Sequence, residues 1–283
     1  MKWTNNRSGI DDRRGQGLKG GLVGGGIGTL VIAAIIFFLG GDPSALLDSN
    51  MNSAPVQTEQ RQLTQQELQI REFIEMLHAE NDITWQKELQ KIGVEYRPPK
   101  VVLFENTTQS GCGTARSEMG PFYCPADETI YMDMSFFKEL ESRFGAKVTE
   151  FSVAYVFAHE QGHHIQTILG TTQKVNSLRH SRKYSEAQMN RVSVATELQA
   201  DFYAGLWARL TDNRAKILEP GDIQSALDAA EAVGDDNIQK RQQGYVNQEA
   251  FTHGSSKQRE EWFLKGYQTG DIRQGDTFSV LLR

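Results

Sequence analysis

Residues Thr149 to Leu169 read TEFSVAYVFAHEQGHHIQTIL, and the fold turns on this stretch. Thr149 stands where a helix N-cap would. A dense apolar face runs from Phe151 to Ala158, and Gly170 follows the last periodic residue, so the pattern predicts a buried helix with defined ends. On it lies His159-Glu160-Gln161-Gly162-His163, an H-E-x-x-H pattern. Two histidines at i and i+4 share one helical face, one turn apart, so both imidazoles can reach a single zinc ion at about 2.0–2.1 Å. Glu160 projects beside them, placed to accept a proton from an activated water instead of ligating. With six histidines in 283 residues, an accidental match is expected in about one such sequence in a hundred, which favours a metal site. His164 points about 100° away from His163, which suits packing or an outer hydrogen bond.

A catalytic zinc takes a third protein ligand and keeps a fourth position open, so a second buried helix should lie downstream. Asn190 to Leu210 (NRVSVATELQADFYAGLWARL) has that character, with Val194, Ala195, Leu198, Phe202 and Leu206 on an apolar face. Glu197 and Asp201 are set into it at i and i+4, without neighbouring lysines. Acids in such surroundings need partners. The simplest assignment makes Glu197 the third ligand and Asp201 the acceptor of the outer N–H of His159; the alternative has Asp201 ligating. Gly205, one turn on, offers close helix approach.

Upstream, GGLVGGGIGTLVIAAIIFFLGG between Lys19 and Asp42 is uncharged and long enough to cross a hydrocarbon core of about 30 Å. It predicts a transmembrane anchor at 20–41, a basic cytoplasmic segment at 1–19, a flexible tether at 42–63 and an exported metallopeptidase domain at 64–283. A cleaved signal peptide is the alternative, but the apolar core Leu22–Leu39 exceeds the usual length and no A-x-A-like site follows. Glycine pairs such as Gly21/Gly25 and Gly24/Gly28 offer a route to a helix-mediated dimer. Thr64-Gln-Gln-Glu67 has capping-box spacing ahead of an apolar stripe that includes Leu68, Ile70, Phe73, Ile74 and Leu77, and His78 is expected at the end of that helix, on the surface. Cys112 and Cys124, the chain's two cysteines, bracket a loop with two glycines and a proline and are expected to pair; a thiolate metal site would want four ligands. Hydrophobic residues make up 39% and charged residues 23% of the chain, in the globular range. A formal charge of -6 leaves no phosphate-binding footprint and excludes nucleic acid as an expected partner.

HEQGHH, ELQAD, SGCGTARSEMGPFYCPADETIYMD and FTHGSSKQREEWF occur in this order. Together they resemble the bacterial putative neutral zinc metallopeptidase family, over a span from the N-terminal basic segment to about Phe278. The resemblance implies an α+β, zincin-like fold, mainly helical with a small sheet, one Zn2+ on His159, His163 and Glu197, and a catalytic Glu160. Members of that family often carry two further cysteines where this chain has Phe202 and Gly275. Their joint absence implies the loss of one disulfide and leaves open how the C-terminal tail is held.

The expected reaction is hydrolysis of a polypeptide substrate by zinc-activated water, with Glu160 as general base and then as acid to the leaving amine. A donor to the developing oxyanion is also needed. His253, in a loop just before a helix announced by Ser255-x-x-Gln258, is the candidate, with Tyr245 and Tyr267 as alternatives. His180, among Arg179, Arg182 and Lys183, is expected in a solvated loop or lid. Substrate is expected to add as a strand to a sheet edge supplied by Val101–Glu105 or Thr129–Asp133. A reading of another class is a catalytically silent zinc-binding envelope scaffold, which retention of Glu160 disfavours.

Overall fold

The computed structural model describes residues 1–15, 61–144 and 147–282. Helix α1 (Gln65–Lys91) starts at the expected capping box: Thr64 Oγ1 accepts the Glu67 N–H, and the Glu67 carboxylate accepts the Thr64 N–H. It runs past the expected end, so His78 lies buried in mid-helix beside Phe157 and Asp82, and not at a surface terminus. A four-stranded sheet follows, with the order β1 (Asp11–Asp12), β2 (Lys100–Phe104), β6 (Thr129–Asp133), β5 (Phe122–Cys124). β1, β2 and β6 run parallel and β5 antiparallel, with Asp11 opposite Val102, Val102 opposite Tyr131 and Phe122 opposite Tyr131. β3 (Thr107–Ser110) and β4 (Gly113–Arg116) form a separate hairpin. Cys112 and Cys124 form a disulfide that ties this hairpin to β5.

The rest is helical: α2 (Met134–Phe144), α3 (Glu150–Ile168), α4 (Thr171–Ser181), α5 (Glu186–Ala215), α6 (Asp222–Ala232), α7 (Asp235–Gln243), α8 (Ser256–Thr269) and the short α9 (Thr277–Leu281). The chain is α+β, mostly helical with a small sheet. Its main core is shared by α1, α3, α5, α8 and one face of β2 and β6. The segment expected as a solvated loop around His180 is the helix α4. A polar sequence carries no apolar period to announce a helix, and here Val175 is its buried contact.

Two close approaches set the helix layers. A Cβ on Gly205 of α5 would lie 1.9 Å from the carbonyl oxygen of Phe263 in α8, and one on Gly266 would lie 2.0 Å from that of Phe202. A Cβ on Gly162 of α3 would meet the Ala200 backbone of α5 at 3.0 Å. At the α5–α8 crossing backbones this close leave no room for any side chain, so glycine is required there, and at Gly162 the fit is tight enough that Ala200 would have to give way. Phe202 and Gly275 lie against each other, a Cβ on Gly275 falling 2.7 Å from the ring. The tail is held there without a disulfide, by Gln199 Nε2 to Gly275 O at 2.8 Å and Thr277 Oγ1 to Ala195 O at 2.5 Å.

Residues 1–15 are built into this domain. The Met1 ammonium sits among Glu150, Glu219 and Asp222, Trp3 stacks near Phe73, and Thr4 and Asn6 donate to the buried Glu80. β1 completes one edge of the sheet, and Arg14, itself buried, pairs with Asp12 and donates to Glu67 O. Arg61 N–H donates to Gly15 O, so the ends of these two described segments meet. The expected anchor at 20–41, its glycine pairs and most of the tether lie outside the described residues. The expectation of a single-pass membrane protein, with a cytoplasmic N-terminus and an exported domain, is corrected. Among the described residues no helix is long and apolar enough to cross a membrane, and the segment expected on the far side is part of the fold.

Candidate metal centre

Helix α3 places the H-E-x-x-H residues by a cap and a buried face. Thr149 Oγ1 accepts the Ser152 N–H at 3.1 Å, and Phe151, Ala154, Tyr155, Phe157 and Ala158 lie in the core. One turn apart, the His159 and His163 rings meet edge to face with centroids 4.9 Å apart. Because Gly162 admits the Ala200 backbone, α5 brings Glu197 directly over them: Glu197 Oε2 stands 3.2 Å from His159 Nε2 and 3.5 Å from His163 Nε2. One donor atom from each of the three residues lies within 4.8 Å of the others, and all three residues are buried.

The chemistry of the donors fits a cation. His159 Nδ1–H donates to Asp201 Oδ1 at 2.8 Å and His163 Nδ1–H to Gln166 Oε1 at 2.9 Å. These bonds fix the tautomers that turn both Nε2 lone pairs toward Glu197. Two lone pairs and a carboxylate converging in a buried space need a positive charge between them, supplied by protons or by a metal. Accordingly, although burial works against it, Asp201 and Glu197 push His159 up to about 10. Burial alone would raise Glu197, but the two histidines hold it well below the carboxylate range. Cys112 and Cys124 are spent in their disulfide and take no part.

Behind the triad is a second layer that sequence reading finds only in part. Asp201 lies against His159 on the Nδ1 side of the ring, away from the Nε2 that faces Glu197. It also accepts from Tyr155 Oη at 2.6 Å and from Arg259, whose Nε and Nη2 reach its two oxygens at 2.8 and 3.0 Å. Burial would raise Asp201, yet Arg259 and His159 hold it far below its ordinary value. Arg259 was legible only as a charge in SSKQREEW; nothing local marks it as buried. Gln166 donates to Thr196 O at 2.7 Å, which locks the amide that receives His163.

Glu160 is buried, and burial raises its carboxyl above the usual range; a backbone N–H of Tyr123 in β5 contacts it. Its Oε2 is enclosed and has no hydrogen-bond partner. His164 turns away as expected, bonded to Tyr123 Oη at 3.0 Å and to Arg97 O at 2.7 Å.

His253, in the loop ahead of α8, is held beside the start of α7 and its charge acts on Glu197. The Asp235 carboxylate accepts three consecutive backbone N–H groups, of Thr252, His253 and Gly254, at 2.7, 2.6 and 3.0 Å, and its other oxygen faces His253 Nδ1 at 3.3 Å. Gly254 is packed so that a Cβ would touch Leu198 and Val194, the α5 residues flanking Glu197, and the charges of His253 and Glu197 act on each other. Of the alternatives, Tyr245 is 64% exposed, and Tyr267 lies under Arg209. The two segments expected as sheet edges are corrected: β2 and β6 are interior strands, and the terminal strands are β1 and β5. The alternation of short strands cannot reveal their neighbours, and the covering strand comes from residues far upstream.

Comparison with known proteins places the chain among relatives. The uncharacterized protein YpfJ of Escherichia coli K12 is 38% identical over 98% of this chain and 99% of its own length. The uncharacterized protein Rv2575 of Mycobacterium tuberculosis H37Rv is 47% identical over 65% of this chain and 64% of its own. No solved structure matches the chain. A family profile described as putative neutral zinc metallopeptidase matches residues 1–278, taking in the N-terminal arm of residues 1–15, the sheet and every residue of the centre, and by that match the chain belongs to this family.

Proposed function

We propose that the protein is a zinc-dependent peptidase that hydrolyses peptide bonds in polypeptide substrates, with His159, His163 and Glu197 holding the ion. Zinc at such a three-ligand centre supplies Lewis acidity that polarises a carbonyl and makes water nucleophilic near neutral pH. The observation that carries the reading is Glu160: a buried carboxyl with a raised pKa, one oxygen without a partner, beside the triad but not in it. Structural zinc sites close with four protein ligands and have no use for such a group. Glu160 takes the proton from the attacking water and returns it to the leaving amine. His253, held through Nδ1 by Asp235, donates to the oxygen that gains charge. β5 ends the sheet beside Glu160, so a substrate strand would pair with Phe122–Cys124.

The test uses the full chain, because residues 1–15 are part of the fold. Purified protein should carry one zinc and cleave an unstructured protein substrate, lose that activity to a chelator and regain it with zinc. Protein with one bound zinc and no turnover on a broad peptide library would refute the proposal and leave a silent metal-binding domain.

A further inference from the structure

Strand β5 turns one backbone donor toward the centre. Lys100 lies opposite Thr129 and its N–H reaches Glu128 O at 3.0 Å, so the residues on either side of Thr129 face β2. Thr129 and Tyr131 then face β5, and their opposites Cys124 and Phe122 complete that ladder. Tyr123, opposite Ile130, directs its N–H and C=O out of the sheet. The residues two places away on that side, Pro121 and Pro125, have no N–H. The Tyr123 N–H is therefore the one donor of residues 121, 123 and 125, and it meets Glu160, whose carboxyl burial raises and this N–H draws down. Helix α3 fixes the Glu160 Cα but not its side-chain torsions, and this contact on one side leaves Oε2 without a partner.

His164 ties β5 to α3. Its Nε2–H donates to Arg97 O at 2.7 Å, so its Nδ1 accepts the Tyr123 O–H at 3.0 Å, and a neutral ring uses both nitrogens. Burial holds the imidazole in that form by lowering it below its ordinary value. Tyr96 and Tyr123 pack edge-on against the ring, with centroids 6.3 and 5.3 Å away. The linker between α1 and β2 anchors this bracket. Tyr96 Oη accepts from Gln161 Nε2 at 3.1 Å and donates to Asp82 Oδ1 at 2.6 Å, and Arg97 pairs with Glu128 at 2.6 and 2.7 Å. We propose that His164 is a positioning residue, which sets Glu160 by holding the Tyr123 N–H against its carboxylate. This rests on the peptidase reading of Glu160.

The experiment pairs rates with an amide signal, on the full-length protein. Its eight tyrosines give eight backbone signals on selective 15N-tyrosine labelling, and the one lost in Tyr123→Phe is that of Tyr123. An N–H held by a carboxylate resonates downfield, so this signal should move upfield in Glu160→Gln and in His164→Phe. A signal unmoved by either substitution would overturn the proposal. For hydrolysis, His164→Phe and Tyr123→Phe are compared with the parent at matched zinc content and melting temperature. Misplacing the base should lower kcat about tenfold to a hundredfold and leave KM and zinc affinity unchanged. His164→Asn, which keeps an acceptor where Nδ1 stands, should retain part of the rate. In a Glu160→Gln background the same changes should cost nothing further, because their effect passes through Glu160. An unchanged kcat, or an equal fall in both backgrounds, would overturn the proposal while leaving the peptidase intact. Should His164→Phe fail to fold, Tyr123→Phe and His164→Asn carry the comparison. If the zinc-loaded parent hydrolyses nothing, the peptidase reading falls, and the Tyr123 signal alone decides whether β5 holds Glu160.

Discussion

Asp201 and Arg259 join the candidate metal site to the core. Both are buried, each pairs with the other, and Asp201 accepts the Nδ1–H of His159. Removing one partner strands a charge, which typically costs about 3–5 kcal/mol, whereas removing both need cost little. Asp201→Ala should therefore lower the melting temperature markedly and weaken zinc binding about tenfold to a hundredfold. Adding Arg259→Met should restore most of the stability and none of the zinc affinity. Calorimetric unfolding with zinc titration measures both; recovery of affinity in the double variant would show that Asp201 does not act on His159. By contrast, Glu197→Ala should abolish zinc binding outright, because two histidines remain. The pair His159/His163 was legible from spacing, and Glu197 and Asp201 from acids set in an apolar face. Arg259 and Gln166 were not, because a residue that comes from another helix leaves no periodic trace near the motif.

At the scale of elements, two close approaches replace side-chain packing. Gly162 seats α3 on α5, and Gly205 and Gly266 seat α8 on α5. Gly205→Ala places a methyl 1.9 Å from a backbone oxygen, which no rotamer can relieve, so α8 must shift and carry Arg259 with it. Overpacking of this kind costs about 1–3 kcal/mol or more. The expected outcome is a lower denaturation midpoint together with weaker zinc binding, read by urea titration and metal competition. A stability loss with unchanged zinc affinity would mean that α8 adjusts without moving Arg259. Caps and apolar periods foretold α1, α3, α5 and α8, since those signals are local. α4 escaped because its sequence is polar, and the order of the strands escaped because pairing partners are set by tertiary contacts.

Across the whole molecule, the segment before residue 16 and the segment after residue 60 fold as one body. The arm covers the β2 edge, so β5 is the terminal strand next to Glu160. Its docking centres on Glu80: burial would raise this carboxyl, but Thr4, Arg214 and Asn6 hold it below 4.5. A carboxyl depressed in the folded state adds stability that is complete above its unfolded value and is lost as pH falls through the folded one. Docking of the arm should thus weaken below about pH 4.5, seen as faster protease cleavage near residue 15 and a red shift of Trp3 fluorescence. Glu80→Gln should remove that pH dependence, and an arm that stays protected in acid would contradict this account. The apolar run at 20–41 read as an anchor because hydropathy ignores what lies on either side of it; the contacts of residues 1–15 with the rest of the domain could not be inferred from their composition.

The claim that unites these scales is that a centre assembled by α3 and α5 does chemistry through Glu160. Replacing Glu160 by Gln keeps its size and removes its basicity, so the decisive measurement is peptide hydrolysis by this variant at zinc content and melting temperature equal to those of the parent. General-base catalysis supplies about 10²–10⁴-fold, and the same group also protonates the leaving amine, so turnover should fall at least about a thousandfold with zinc affinity unchanged. Hydrolysis at near the parental rate, with zinc in place, would contradict the mechanism.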